Sequence, residues 1–195
     1  MDRVEEAYRK AEKAIEAGQR DEAVRILSDL AAREPNEPLF QWRLGYVYLD
    51  LEKPAEAVHF FSKAISLDAD CVPAWGGLAQ THMELGEWDS AEMALRKRLQ
   101  LRPGPHYYVF LGRVLNAQGK TELAVESCRK ALELNPAFDE AWFNLGGYYL
   151  LLNNHQEALR AYEKAVALDP SYAGQIDFIR LRERTRSENG KTGHS

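Results

Sequence analysis

Five alanines constrain this chain more than any other feature. Ala23, Ala57, Ala91, Ala124 and Ala158, in the contexts DEAV, AEAV, DSAE, ELAV and QEAL, stand 34, 34, 33 and 34 residues apart. A second column, Pro35, Ala69, Pro103, Pro136 and Pro170, keeps the same step, and so does a third of small residues, Ala11, Gly45, Ala79, Gly112 and Gly146. Within each unit the apolar period is helical: Leu44, Tyr48 and Leu51 fall at i, i+4, i+7, and Leu78, His82 and Leu85 repeat the pattern. Gly18, Gly86, Gly119 or Asn153 then offers a left-handed residue that ends a helix. A second periodic helix follows and runs to the proline column. A helix pair of this length cannot bury its own apolar face, so the pairs must stack.

The columns resemble the tetratricopeptide repeat family over about residues 4–172. The third repeat carries the pattern as Trp75, Leu78, Ala91, Leu95 and Pro103, and the fifth as Trp142, Leu145, Gly146, Tyr149, Ala158, Tyr162, Ala165 and Pro170. The resemblance implies an all-α, right-handed α-solenoid of five repeats, at 4–37, 38–71, 72–104, 105–138 and 139–172. Repeat one departs from the pattern, with Ala7, Lys10 and Ala11 where an aromatic, Leu and Gly belong, which gives it a polar outer face. At the other end Tyr172, Ile176 and Ile179 continue one helical face into DFIRLRERTRS, read as a capping helix over 173–186, with 187–195 a disordered tail. With both ends atypical, the chain reads as a complete small protein.

Composition narrows the function classes. Net charge is −5, which argues against a nucleic-acid partner. No apolar run approaches the roughly 20 residues that span a bilayer, so no membrane role is expected. The charged start MDRVEEAYRKAEKA is unlike a signal peptide. Cys71 and Cys128 form no C-x-x-C pair, and a reducing, cytoplasmic location is the simplest reading.

Catalytic signals are poor. GKT occurs at 119–121 and 190–192, but Val114 and Thr185 stand where a phosphate loop needs its first glycine, and no strand precedes either. His59, His82, His106, His155 and His194 fall in different repeats without ligand pairs. His82 fills the slot of Tyr48 and Tyr149 and is read as packing. Cys128 fills that of Phe61, Leu95 and Tyr162 and is read as a small buried hydrophobe, whereas Cys71 is placed in an inter-repeat turn open to solvent. The arginines at 180, 182, 184 and 186 are diluted by Glu183 and Glu188 and read as a solvated face. No enzyme activity, cofactor or metal is expected.

The resemblance also implies that the first helices of successive repeats line a concave face along which a partner lies. By position that face holds Glu5, Tyr8, Glu12, Ile15 and Glu16; then Leu39, Trp42, Tyr46, Leu49 and Asp50; then Pro73, Gly76, Gln80, Met83 and Glu84. Repeat four contributes His106, Val109, Arg113, Asn116 and Ala117, and repeat five Glu140, Phe143, Gly147, Leu150 and Leu151. Arg43, Gly77, Phe110 and Asn144 share it in part. The face is aromatic, and its N-terminal end leans acidic. Chaperone-binding members carry a basic and asparagine clamp; its slots here hold Tyr8, Glu12, Arg43, Pro73 and Gly77, which disfavours that partner.

The expected function is a non-catalytic scaffold that binds a protein or peptide through an apolar segment, with Lys or Arg beside it as a further option. The alternative is self-association into a homo-oligomer, another copy's C-terminal helix filling the groove. An accessory subunit of an enzyme such as a glycosyltransferase has no residue in its support. Gly76 and Gly77 sit on the concave face. Either neighbouring aromatics fold over the gap, or a notch walled by Trp42, Tyr46, Phe110 and Arg113 admits a partner's side chain; the notch is the preferred reading.

Overall fold

The computed structural model describes residues 3–174 and 176. The described chain is all α: α1 (Arg3–Glu16), α2 (Arg20–Arg33), α3 (Pro38–Asp50), α4 (Pro54–Leu67), α5 (Val72–Glu84), α6 (Trp88–Leu101), α7 (Pro105–Ala117), α8 (Thr121–Leu134), α9 (Asp139–Leu151), α10 (His155–Leu168), then a 3-10 turn, Pro170–Tyr172. Pro38, Pro54 and Pro105 open their helices, where the missing N–H costs nothing and the fixed φ already suits a helix. Glu37 caps α3, its carboxylate accepting from the Leu39 N–H at 3.2 Å.

Each first helix ends the same way. The residue after the cap takes a left-handed φ at Gly18, Gly86, Gly119 and Asn153, as the sequence predicts. In repeat two the slot belongs to Glu52, with φ 57°, which sequence reasoning did not assign. Its N–H donates to Leu49 O at 2.9 Å and that of Lys53 to Tyr48 O at 2.9 Å, a paired closure repeated at the other four turns.

Two of the three sequence columns, the alanines and the small residues, make the core, while the proline column stays exposed in the turns. Ala23, Ala57, Ala91, Ala124 and Ala158 are all 0% exposed, because each lies where paired helices approach most closely. Against them pack Leu27, Phe61, Leu95, Cys128 and Tyr162, all buried. Each large apolar group removed from water contributes about 1.5–3 kcal/mol, so one column of this kind secures a repeat.

The chain forms two compact units, divided between Pro103 and Gly104. The first contains α1–α6 and the second α7–α10. Consecutive helices pack antiparallel within a pair and then onto the next pair. In the first unit α3 also packs on α5, and in the second α7 on α9, while among the described residues no two second helices pack as closely. The first helices therefore lie on the inner side of each unit. Ala173, Gly174 and Ile176 are helical. The remainder of the capping helix expected over 173–186, and the tail at 187–195, lie outside the described residues.

Candidate protein-binding surface

On the inner side of the first unit, α1 and α3 are joined by one arginine. Arg43 Nε donates to the Tyr8 hydroxyl at 2.8 Å, and its Nη2 lies 2.8 Å from Glu12 Oε2. Its guanidinium carbon sits 4.5 Å from the Trp42 ring centroid and 5.8 Å from that of Tyr8. Arg43 and Glu12 each keep 30% of the side chain exposed. The pair is thus partly shielded, and its charge-assisted bonds fix the guanidinium over the Trp42 ring. Burial raises the Tyr8 hydroxyl pKa, with the Arg43 hydrogen bond opposing it.

Trp42 meets Tyr46 edge-on at 6.0 Å. The Tyr46 hydroxyl donates to Pro73 O at 3.1 Å, tying α3 to α5. Leu49 on α3 and Met83 on α5 are partly buried, and exposed Gln80 donates to Glu84 at 3.0 Å. Tyr8, Trp42, Arg43, Tyr46, Leu49, Gln80 and Met83 lie on α1, α3 and α5 of the first unit.

The glycine notch is not open. A Cβ built on Gly77 would lie 2.1 Å from Phe61 Cζ, and one on Gly45 2.6 Å from Phe61 Cε1. The Phe61 ring from α4 occupies the gap between α3 and α5, with Tyr46 edge-on to it at 5.0 Å. Gly76 is buried as well. At Gly77 the packing reading replaces the notch: with Gly45 it makes room for the internal Phe61 ring.

The second unit offers less. Val109 is 0% exposed and belongs to the core rather than the groove. His106 lies edge-on to Phe138 at 4.5 Å, and Phe110 edge-on to Tyr107 at 5.9 Å. Exposed Arg113 stands 5.9 Å over Phe110. Asn144 turns its amide back to Glu140 O at 2.8 Å. Phe143 stacks on Tyr172 at 4.6 Å and meets Tyr162 at 5.5 Å, and the Tyr172 hydroxyl donates to Asp139 at 3.2 Å. Gly147 stays partly open: a Cβ there meets only the Tyr162 hydroxyl, at 3.5 Å.

Neither thiol resembles a nucleophile. Burial pushes Cys128 up to about 12, with Glu140 adding to the effect. Cys71 is buried, not solvent-open, because its backbone anchors the start of α5, and burial raises its thiol too. His82 does pack, but it also bonds Glu87 across the turn at 2.6 Å. Among the described residues no three His, Cys, Asp or Glu gather as a metal site, and no helix is long and apolar enough to cross a membrane.

One feature escaped sequence reasoning. A groove of about 510 Å³ in the second unit is floored by Trp142, Leu145 and Tyr149 between α8 and α10, with Arg129, Glu133, Glu157 and Arg160 among its lining. Arg129 donates to the Tyr149 hydroxyl at 2.8 Å. Trp142, Leu145 and Tyr149 belong to the repeat pattern, which marks them as interior and conceals the hollow above them.

Stacked helix pairs in a regular repeat define a helical-repeat protein. Profiles of the tetratricopeptide repeat match residues 8–74 and 111–173, and 48–113, so the chain belongs to the tetratricopeptide repeat family. It is similar to the human protein O-mannosyl-transferase TMTC1, at 28% identity over 78% of this chain and 18% of that protein. It is also similar to Superkiller protein 3 of Schizosaccharomyces pombe, at 30% identity over 80% of this chain and 12% of that one. The chain thus spans less than a fifth of either relative. Among solved structures, MamA from Desulfovibrio magneticus RS-1 superposes with a TM-score of 0.81 at 22% identity, over 88% of this chain and 97% of that one. YrrB, described as a TPR protein with an unusual peptide-binding site, gives 0.71 at 20% identity, over 82% and 84%. The fold class is accordingly an all-α solenoid, and the family supports a protein-binding role.

Proposed function

We propose that the chain is a non-catalytic scaffold that binds a protein or peptide segment along the inner face of α1, α3 and α5. The observation that carries this reading is the Tyr8–Glu12–Arg43–Trp42 cluster, an aromatic surface already fixed before a partner arrives. Ordering of side chains is a main cost of association, and here it is met within the fold. Fission-yeast cut9, a relative at 30% identity over 78% of this chain, is named as a subunit of the anaphase-promoting complex, and YrrB is described by its peptide-binding site. Both descriptions favour assembly over turnover. The transferase named in TMTC1 is not carried across, because only 18% of that protein is matched.

The partner is an apolar segment with basic residues. Arg43 is neutralised by Glu12, so exposed carboxylates dominate the rim. Buried free thiols at Cys71 and Cys128 suit a reducing, cytoplasmic compartment.

A panel of synthetic apolar–basic peptides, titrated by fluorescence anisotropy, tests the site. Trp42→Ala should cost 2 kcal/mol or more, roughly thirtyfold in affinity, as expected for an aromatic anchor. A binder that ignores Trp42→Ala, in a protein with an unchanged melting curve, would remove this face from consideration.

A further inference from the structure

The last residues of α1, α3 and α5 are Glu16, Asp50 and Glu84, one repeat apart and all exposed. Each sits at the carbonyl end of its helix, where the dipole disfavours a negative charge. Each directly follows a partly buried apolar residue, Ile15, Leu49 and Met83. The first unit thus carries three apolar–acidic dyads in a row. The pattern stops there, because α7 and α9 end on Ala117 and Leu151. Local contacts do not use the carboxylates up: Arg20 approaches Asp50 only to 3.6 Å with 55% of the Asp50 side chain exposed, and Glu84 meets the neutral Gln80 amide.

The complement lies in the same sequence. After Ile176 nineteen residues follow, and the stretch FIRLRERTR at 178–186 alternates aliphatic and aromatic groups with arginines, four basic residues against Glu183. It stands beyond a 3-10 turn whose Tyr172 is stacked on Phe143 and bonded to Asp139. We infer that the first unit's inner face receives residues 178–186 of a second copy of this chain, arginines meeting the acidic row and apolar side chains the groove beside it. This rests on the binding reading above and names its occupant. Exchange of the segment between two copies satisfies both faces at once, so the assembly closes as a dimer.

The test uses the full chain in light scattering and sedimentation, with a labelled synthetic peptide of residues 176–187 as probe. Wild type should dimerise with concentration, and at least tenfold more weakly between about 50 mM and about 500 mM salt, because the paired charges are exposed. The triple variant Glu16→Lys, Asp50→Lys, Glu84→Lys should fold as wild type, stay monomeric and bind the peptide at least tenfold more weakly. The triple variant Arg180→Glu, Arg182→Glu, Arg184→Glu should also be monomeric, and mixing the two should restore a mixed dimer. A wild type that stays monomeric, or a mixture that does not pair, overturns the inference. If the 176–187 peptide fails while another leucine–arginine peptide binds and needs Trp42, only the self-recognition falls. If neither binds, the binding surface falls with it.

Discussion

Gly76-Gly77 in α5 and Gly146-Gly147 in α9 look alike as dipeptides and do different work. The two pairs sit in different registers of the repeat. Gly146 lies in the small-residue column and faces its own second helix: a Cβ there would stand 2.9 Å from the Tyr162 ring. Gly147, one residue on, meets only a hydroxyl at 3.5 Å. Gly77 is two residues before the small column position Ala79, and it faces the second helix of the preceding repeat, whose Phe61 ring would overlap any side chain. Phe61 is wedged between two glycines, Gly45 and Gly77, on successive first helices. The lesson concerns volume. A large residue in the second-helix column is accommodated by removing side chains on both flanking first helices, as close-packed interiors require.

The converse occurs in repeat four, where that column holds Cys128. A Cβ on Gly112 would meet Cys128 Sγ and the Tyr148 ring, each at 3.5 Å. Tyr148 stands where other repeats carry Val47, Thr81 and Val114, and its ring fills the space that the small thiol leaves. Burial drives its hydroxyl pKa upward, with the neighbouring Cys128 adding to the effect. Its oxygen is buried without a hydrogen-bond partner, which follows when a ring is chosen for volume rather than for its polar tip.

Phe61→Ala should have the largest effect, a loss of about 3–5 kcal/mol in chemical denaturation, because the ring is fully buried and both flanking glycines leave nothing to collapse into the cavity. Loss of under about 1 kcal/mol would mean that the ring does not wedge the two helices apart.

Gly77→Ala should destabilise by about 1–3 kcal/mol, the usual cost of forcing an extra carbon into a packed core, despite the better helix propensity of alanine. Phe61→Leu should recover part of that loss, a coupling visible in a double-mutant cycle. A stabilising Gly77→Ala would restore the open notch.

Gly147→Ala is expected to act in the opposite direction. Its nearest neighbour lies at ordinary contact distance, so the helix-interior gain of roughly 0.5–1 kcal/mol should appear as a raised melting midpoint. The contrast in sign between two glycine-to-alanine changes is the sharpest single measurement available on this fold.

The smallest effect concerns the turns. Glu52 adopts the left-handed conformation that glycine takes at Gly18, Gly86 and Gly119. Glu52→Gly should stabilise by roughly 0.5 kcal/mol, the left-handed cost of about 1–2 kcal/mol less the backbone entropy of about 0.5–1 kcal/mol that glycine gives up. Asn153→Gly should gain less, since asparagine tolerates that conformation.

Much of the architecture was legible in the residues. The alanine, small-residue and proline columns placed ten helices, their pairing and four of five left-handed turns, because helix periodicity and backbone chemistry are local and repeat with the sequence. The placing of Tyr8, Trp42 and Tyr46 on first helices was legible for the same reason. Periodicity tells which side of a helix a residue occupies, but not which neighbour covers it. Only the tertiary structure decided that Phe61 closes the glycine gap, that Val109 and Cys71 are interior, that Arg43 is held by Tyr8 and Glu12, and that a hollow opens above Trp142. Each outcome depends on side chains that stand between about half a repeat and one repeat apart in sequence, and packing density couples them in space where no single helix records them.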